Sequence, residues 1–250
     1  MITLHLIGIG TGNPDHLTLQ AVKALNAADL VMIPRKGDTK ADLANLRRSI
    51  CAEVVTNPLT QIAEFDVPVR DAGNPDYLAG VNDWHDATAQ VWQQTMDAHP
   101  GATQVALMVW GDPSLYDSTL RIAARLTGPV TLKVIPGITS IQGLTAAHAI
   151  PLNELGGAVT ITTGRQLLQG WPTGADTLVI MLDGQCSFQS LDPAGIFIWW
   201  SAYVGMPEQI ILSGDLAVIG PQIVETRARA RSAQGWIMDI YLLRRSANIT

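Results

Sequence analysis

The chain has 250 residues, a formal net charge of −6 and a hydrophobic fraction of 47%. That charge excludes general nucleic-acid binding, which needs a basic footprint, but leaves room for a local basic patch on an anionic small molecule. Charged residues amount to only 15%, as expected of parallel sheets covered on both faces or of a large oligomer interface.

Taken in order, residues 4–8 read as a buried strand, 17–27 as a helix and 30–33 as a second strand ended by Pro34. Residues 38–50 look helical, and 81–99 form a longer amphipathic helix. A third clear strand spans 105–109, followed by a helix over 120–126, a strand over 130–135 and a helix over 140–148. This alternation predicts a parallel sheet with helices on both sides. Near 149–157 the pattern breaks at Ile150-Pro151-Leu152 and Gly156-Gly157, a linker signal. Beyond it, 159–162, 178–182, 196–200, 209–212 and 236–243 read as strands, with one helix over 221–233. The expected fold class is α/β with two α/β domains: residues 1–149 with a parallel sheet and 150–250 with a mixed sheet. No run is long and apolar enough to span a bilayer, and no secretory signal precedes the first strand, so a cytoplasmic location is expected. Cys51 and Cys186 form no disulfide framework, and no metal-ligand spacing occurs.

Three loops after strands carry the chemistry, because ligands of open α/β sheets sit beyond the strands' carboxyl ends. The first is Gly8-Ile9-Gly10-Thr11-Gly12-Asn13-Pro14. Its spacing is GxGxG, so the third glycine of a dinucleotide fingerprint falls on Asn13. The acid expected at the end of the second strand is missing, since Ile33-Pro34-Arg35 stands there and Asp29 lies at that strand's beginning. A plain tight turn fits this loop equally well. The second loop is Trp110-Gly111-Asp112-Pro113-Ser114-Leu115-Tyr116, and the third is Ile135-Pro136-Gly137-Ile138-Thr139-Ser140. Singly, each reads as a turn leading into a capped helix.

Their order along the chain is more specific. The glycine turn followed by Leu17-Thr18-Leu19, the GDP loop, the PGITS loop and Ile150-Pro151-Leu152 together resemble the tetrapyrrole methylase family. Thr162-Thr163-Gly164-Arg165, the strand Thr177 to Leu182, and Gly205-Met206-Pro207-Glu208-Gln209 with Gly214-Asp215-Leu216 continue the resemblance. It covers nearly the whole chain. It implies two α/β domains with S-adenosylmethionine folded in the cleft between them and S-adenosylhomocysteine as product. Matched by motif, Gly10, Thr11, Trp110, Gly111, Asp112, Leu115, Thr139, Ser140, Leu182 and Val204 are the implied cofactor contacts, with Met181 as a further candidate. Many relatives carry proline where this chain has Thr11.

The resemblance also implies methyl transfer to a nucleophilic carbon of a polycarboxylate tetrapyrrole in cobalamin biosynthesis, in a homodimer, with no metal, nucleic acid or membrane. Arg35 to Asp38, the stretch 57–86 and Trp236 to Asp239 are most similar to members that methylate carbon 1 of precorrin-5 and release acetate. Arg35 and Lys36, just past a strand end, are the candidate substrate contacts. Arg47 and Arg48 read as a solvated helix face, and Arg227, Arg229 and Arg231 as surface. For the hydrolytic release of acetate, Asp83, His85 and Tyr116 are candidate acid/base groups. Alternatives are another precorrin or uroporphyrinogen III methyltransferase, a nucleotide-dependent oxidoreductase and a ligand-binding module without turnover.

Overall fold

The computed structural model describes residues 1–35, 41–71, 73 and 76–245, with residues 41 and 42 described by backbone alone. The chain divides into two compact units, Met1–Thr139 and Ser140–Thr250.

The first unit contains β1 (Ile2–Gly8), α1 (Leu19–Asn26), β2 (Leu30–Arg35), α2 (Ala41–Val54), β3 (Gln61–Asp66), α3 (Tyr77–Asp97), β4 (Gln104–Val109), α4 (Thr119–Ala123) and β5 (Val130–Ile135). Its five strands lie in the order β3-β2-β4-β1-β5, and every pairing is parallel. Successive side chains of a strand point to opposite faces, and both faces of β1, β2 and β4 are covered. Val31 and Ile33 join Ile7, Ala106 and Met108 in a core with α1 and α2. Leu30 and Met32 join Leu4, Leu6 and Leu107 in a second core with α3 and α4. Double coverage is why these strands read as continuous apolar runs.

Strand β3 escapes that logic. It is an edge strand in which Phe65 alone is buried, and its sequence, Gln61-Ile62-Ala63-Glu64-Phe65-Asp66, is polar at every exposed turn but one. Pro34 does not end β2, which runs on to Arg35. The pairing of β2 with β4 stops at Met32, so a residue without an N–H is tolerated beyond it. Asp29 ties β2 to the start of β4, its carboxylate accepting from the amides of Thr103 and Gln104 and from the Thr103 hydroxyl. The Gln104 and Thr103 amides hold its carboxyl below the usual value.

The second unit contains α5 (Ser140–His148), β6 (Val159–Thr163), α6 (Gly164–Leu167), β7 (Thr177–Met181), β8 (Ile196–Ala202), β9 (Ile210–Asp215), α7 (Leu216–Gln234) and β10 (Asp239–Arg245). Its sheet has the order β6-β7-β10-β8-β9. Only β6 and β7 run parallel, and the other pairings are antiparallel. Trp200, Tyr241 and Phe188 fill its core, each with 2% exposure or less. Helix α5, read from sequence with the first half, groups with this unit. The linker is clasped by Arg244, whose guanidinium donates to the carbonyls of Pro151 and Leu152 and pairs with Glu154. Helix α7 begins five residues earlier than expected, so Pro221 lies inside it rather than at its start. Arg227 corrects a second expectation. It is not a surface residue but a buried one, paired with Asp239 at 2.8 Å, with side chains only 10% and 8% exposed.

Candidate functional site

At the carboxyl ends of β1, β4 and β5, three loops cross at van der Waals limits. Ile9 donates to the carbonyl of Val109, and Gly10 and Gly111 exchange both backbone hydrogen bonds, at 3.3 and 2.8 Å. Gly10 and Gly111 have φ of +74° and +66°, a region that only glycine enters without cost. A Cβ on Gly137 would stand 2.0 Å from the Gly111 carbonyl oxygen and 2.8 Å from the Gly8 carbonyl carbon. A Cβ on Gly8 would meet the Gly137 nitrogen at 2.6 Å. The glycines therefore let three backbones pack directly against one another at this end of the sheet. Thr11 is buried, and its hydroxyl lies 2.7 Å from His16 Nδ1, a hydrogen bond that ties the turn to the residues after it.

Asp112 joins the second loop to the third. One carboxylate oxygen accepts from the Ser114 amide and hydroxyl, and the other from the Gly137 amide at 2.9 Å. Burial works to raise this carboxyl, but the Ser114 hydroxyl and the Gly137 and Ser114 amides outweigh it and hold it below the usual aspartate value. A carboxyl depressed by folding stabilises the native state above its unfolded pKa and loses that contribution as pH falls through the folded value. Asp112→Asn is therefore expected to lower the melting temperature at neutral pH, with the gap to wild type closing in acid. Thermal unfolding of both proteins across a pH series checks this, and a gap that persists below the folded pKa would contradict it.

In the second unit, the turn after β7 carries Leu182, which is 68% exposed with φ of +53°. A branched side chain in the left-handed region costs energy unless its surroundings enforce it. The enforcing groups surround the next residue, Asp183. Its carboxylate accepts from the Tyr241 hydroxyl at 2.6 Å, the Ser187 amide and hydroxyl, and the Gln185 amide. Its carbonyl accepts from Arg227. A Cβ on Gly164 would meet that carboxyl group at 2.4 Å, which explains the glycine between Thr163 and Arg165. Val204 is buried and follows Tyr203, another left-handed residue at φ +52°, whose hydroxyl donates to the Trp236 carbonyl. Sequence reading named Leu182 and Val204 as expected contacts but did not single out Asp183.

Of the remaining candidates, Thr139 closes the first unit and Ser140 opens α5. Trp110 and Leu115 lie in the second loop with Tyr116, which is exposed and at φ +48°. Asp83 and His85 lie on α3, away from those loops in sequence; Asp83 is exposed and His85 is 3% exposed. Neither ring nitrogen of His85 has a hydrogen-bond partner among the described residues, and burial, with Arg125 and Arg121 nearby, keeps the imidazole below its ordinary pKa. Lys36 lies outside the described residues. The fork of Arg35 is engaged by Asp66 through two hydrogen bonds, with Glu64 at 3.6 Å. Arg48 is likewise held by Glu64. Arg47 instead turns inward. No His/Cys/Asp/Glu cluster among the described residues could hold a metal ion. A cavity of about 960 Å³ in the second unit, lined by Thr177, Asp192 and Arg245 among others, opens at the end of β7 opposite Leu182 and contains none of the candidate residues.

The sequence profile of the Tetrapyrrole (Corrin/Porphyrin) Methylases matches residues 3–219, and the chain belongs to that family. Within the family, the chain is 48% identical over 248 residues, 97% of its length and 95% of the relative's, to precorrin-6A synthase (deacetylating) of Sinorhizobium sp. It is a homologue of that enzyme. Precorrin-2 C(20)-methyltransferase from the same source is 30% identical over 64% of each chain. Among solved structures, a cobalamin-synthesis-related protein (CobF) from Corynebacterium diphtheriae superposes with a TM-score of 0.83 at 39% identity, covering 98% of this chain and 99% of that one. A uroporphyrin-III C-methyl transferase from Thermus thermophilus, complexed with S-adenyl homocysteine, shares the fold at a TM-score of 0.60 and 18% identity, over 97% and 92%.

Proposed function

We propose that this chain is a precorrin-6A synthase, methylating carbon 1 of precorrin-5 from S-adenosylmethionine and releasing acetate. The observation that carries this reading is the 48% identity to the Sinorhizobium enzyme over nearly the full length of both chains. The close packing of the Gly8, Gly111 and Gly137 loops at the carboxyl ends of parallel strands, where ligands of open α/β sheets bind, supports a methyl-donor site there. Gly10, Thr11, Trp110, Gly111, Asp112, Leu115 and Thr139 are the proposed cofactor contacts of the first unit; Ser140, Leu182 and Val204 are those proposed for the second, each unit taken by itself. When bound, the cofactor supplies an electrophilic methyl group. The protein's own share is positioning. Asp112 locks the second and third loops together, and the Asp183 cluster fixes the turn that presents Leu182. In the first unit, apolar Trp110 and Leu115 would help exclude water from the transfer. The methyl acceptor is a nucleophilic carbon of the substrate, so no base is required for that step. Tyr116, in the same loop as Asp112, is the candidate proton donor for acetate release, because it is exposed beside the proposed cofactor residues.

We further propose a homodimer in the cytoplasm. Leu132 and Val134 on edge strand β5 are 41% and 43% exposed, an apolar edge that a second copy would cover. No helix among the described residues is long and apolar enough to cross a membrane.

The test incubates purified protein with S-adenosylmethionine and precorrin-5 and follows methylated product and acetate together. One acetate per methyl transferred is expected. Methylation without acetate would move the chain to another precorrin methyltransferase activity. Calorimetry should show S-adenosylhomocysteine binding and no NAD(P) binding, and the reverse result would sink the methyltransferase reading.

A further inference from the structure

Helix α2 carries a cation on the wrong face. Ala44, Ile50 and Cys51 are its buried residues, and Cys51 packs against Met108 on β4. Arg47 lies on the same face, three and four positions before Ile50 and Cys51. Its Nε donates to the Met108 carbonyl at 3.2 Å and its Nη1 to the Leu43 carbonyl at 3.1 Å. Nη2 makes no hydrogen bond within the described residues. No described carboxylate lies in ion-pair distance of it, whereas Arg35, Arg48 and Arg125 each have one. Burial lowers the Arg47 pKa to about 10, against a weaker opposing pull from Asp117, so the group remains charged at neutral pH.

Placing a guanidinium among apolar side chains without a counter-ion is costly. Backbone carbonyls offset part of that cost, and an anionic partner would offset more. The location is specific. Met108 lies two residues before Trp110, and Asp117 follows the same loop, so the guanidinium reaches the carboxyl end of β4 where the proposed cofactor loop begins. Planar Arg matches a carboxylate with two parallel hydrogen bonds.

We infer that Arg47 is a carboxylate receptor of the reaction site, without an ion-pair partner among the described residues so that a carboxylate of a reactant can supply one. The inference rests on the proposed methyltransferase reading, in which both reactants carry carboxylates: the tetrapyrrole on its acid side chains and the cofactor on its amino-acid end. The shared chemistry is the same, and the experiment separates the sources.

Three variants of the full chain are compared: wild type, Arg47→Met and Arg47→Lys. The readouts are KM for precorrin-5, calorimetric affinity for S-adenosylhomocysteine, binding of uroporphyrin III (a polycarboxylate that needs no turnover) by fluorescence quenching, and thermal unfolding without ligand. Arg47→Met is expected to weaken either the tetrapyrrole readouts or S-adenosylhomocysteine binding at least ten-fold. Its ligand-free melting temperature should be unchanged or raised, because an isosteric apolar side chain replaces an uncompensated cation. Arg47→Lys, which keeps the charge but not the fork, should recover part of the affinity. Weakening of the tetrapyrrole readouts assigns Arg47 to the substrate, and weakening of S-adenosylhomocysteine binding assigns it to the cofactor. If all affinities stay within two-fold, or if both variants lose stability with affinities intact, Arg47 is a structural strut and the inference is overturned. A wild type that binds uroporphyrin III and S-adenosylhomocysteine but does not methylate precorrin-5 fails the functional reading alone, and the binding arms still decide Arg47.

Discussion

Gly137→Ala is expected to cripple cofactor binding. The added methyl would stand 2.0 Å from the Gly111 carbonyl oxygen and under 3 Å from the Gly8 backbone. All of these neighbours are main chain in the ends of packed strands, so no side-chain rotation relieves the clash. Overpacking costs roughly 1–3 kcal/mol where side chains can yield, and here the loops themselves must part. Their parting would also break the 2.9 Å bond from the Gly137 amide to Asp112. A loss of about 3 kcal/mol corresponds to roughly a hundred-fold in affinity. Calorimetry with S-adenosylhomocysteine measures it, alongside thermal unfolding. Gly101→Ala, which meets nothing within 4 Å, serves as the control and should be near neutral. Affinity retained within three-fold in Gly137→Ala would show that the loops do not form the cofactor wall.

Asp239→Ala is expected to be the most destabilising of the simple truncations in the second unit. Asp239 accepts from Arg227 at 2.8 Å and from the Trp200 indole at 3.1 Å, and almost none of the pair is exposed. Removing one partner leaves a buried charge uncompensated, a cost of about 3–5 kcal/mol. Replacing both, as in Arg227→Met with Asp239→Leu, removes the charges together and should cost much less. The damage reaches function by a traceable route: Arg227 also donates to the Asp183 carbonyl, directly behind Leu182. Denaturant unfolding of the single and double variants measures the coupling. Equal losses in both would refute the account.

The parts of this structure written in the sequence are those whose burial is symmetric or whose backbone is constrained. Strands β1, β2 and β4 declare themselves because helices cover both faces. The loops declare themselves because only glycine fits at positions 8, 111 and 137. Strand β3 stays hidden because an edge strand buries one residue and spends the rest on solvent. The arginines mislead for a reason of phase. Arg227, Arg229 and Arg231 alternate in sequence, but a helix turns 100° per residue. Arg227 therefore falls in the buried stripe with Leu216, Gly220, Ile223 and Ala230. Arg47 differs from Arg48 in the same way: adjacent in sequence, one faces β4 and the other pairs with Glu64. Asp183 could not be foreseen at all. Ser187 lies only four residues on, but Arg227 comes from helix α7 and Tyr241 from strand β10, which pairs with β7, and no local pattern announces that convergence.

The position of β10 has a consequence for how the protein is made. Among the described strands it is the last in order, yet it lies in the middle of its sheet, between β7 and β8. The ribosome delivers β7 and β8 first, and neither has its central neighbour until residues 239–245 emerge. The first unit, whose strands all precede residue 136, can close while synthesis continues. The second unit must wait with the apolar strands Thr177–Met181 and Ile196–Ala202 unpaired along one edge. A premature stop only a dozen residues short of Arg245 would therefore yield a chain with one finished unit and one exposed, aggregation-prone sheet, making the final strand the gate on recovery of soluble product.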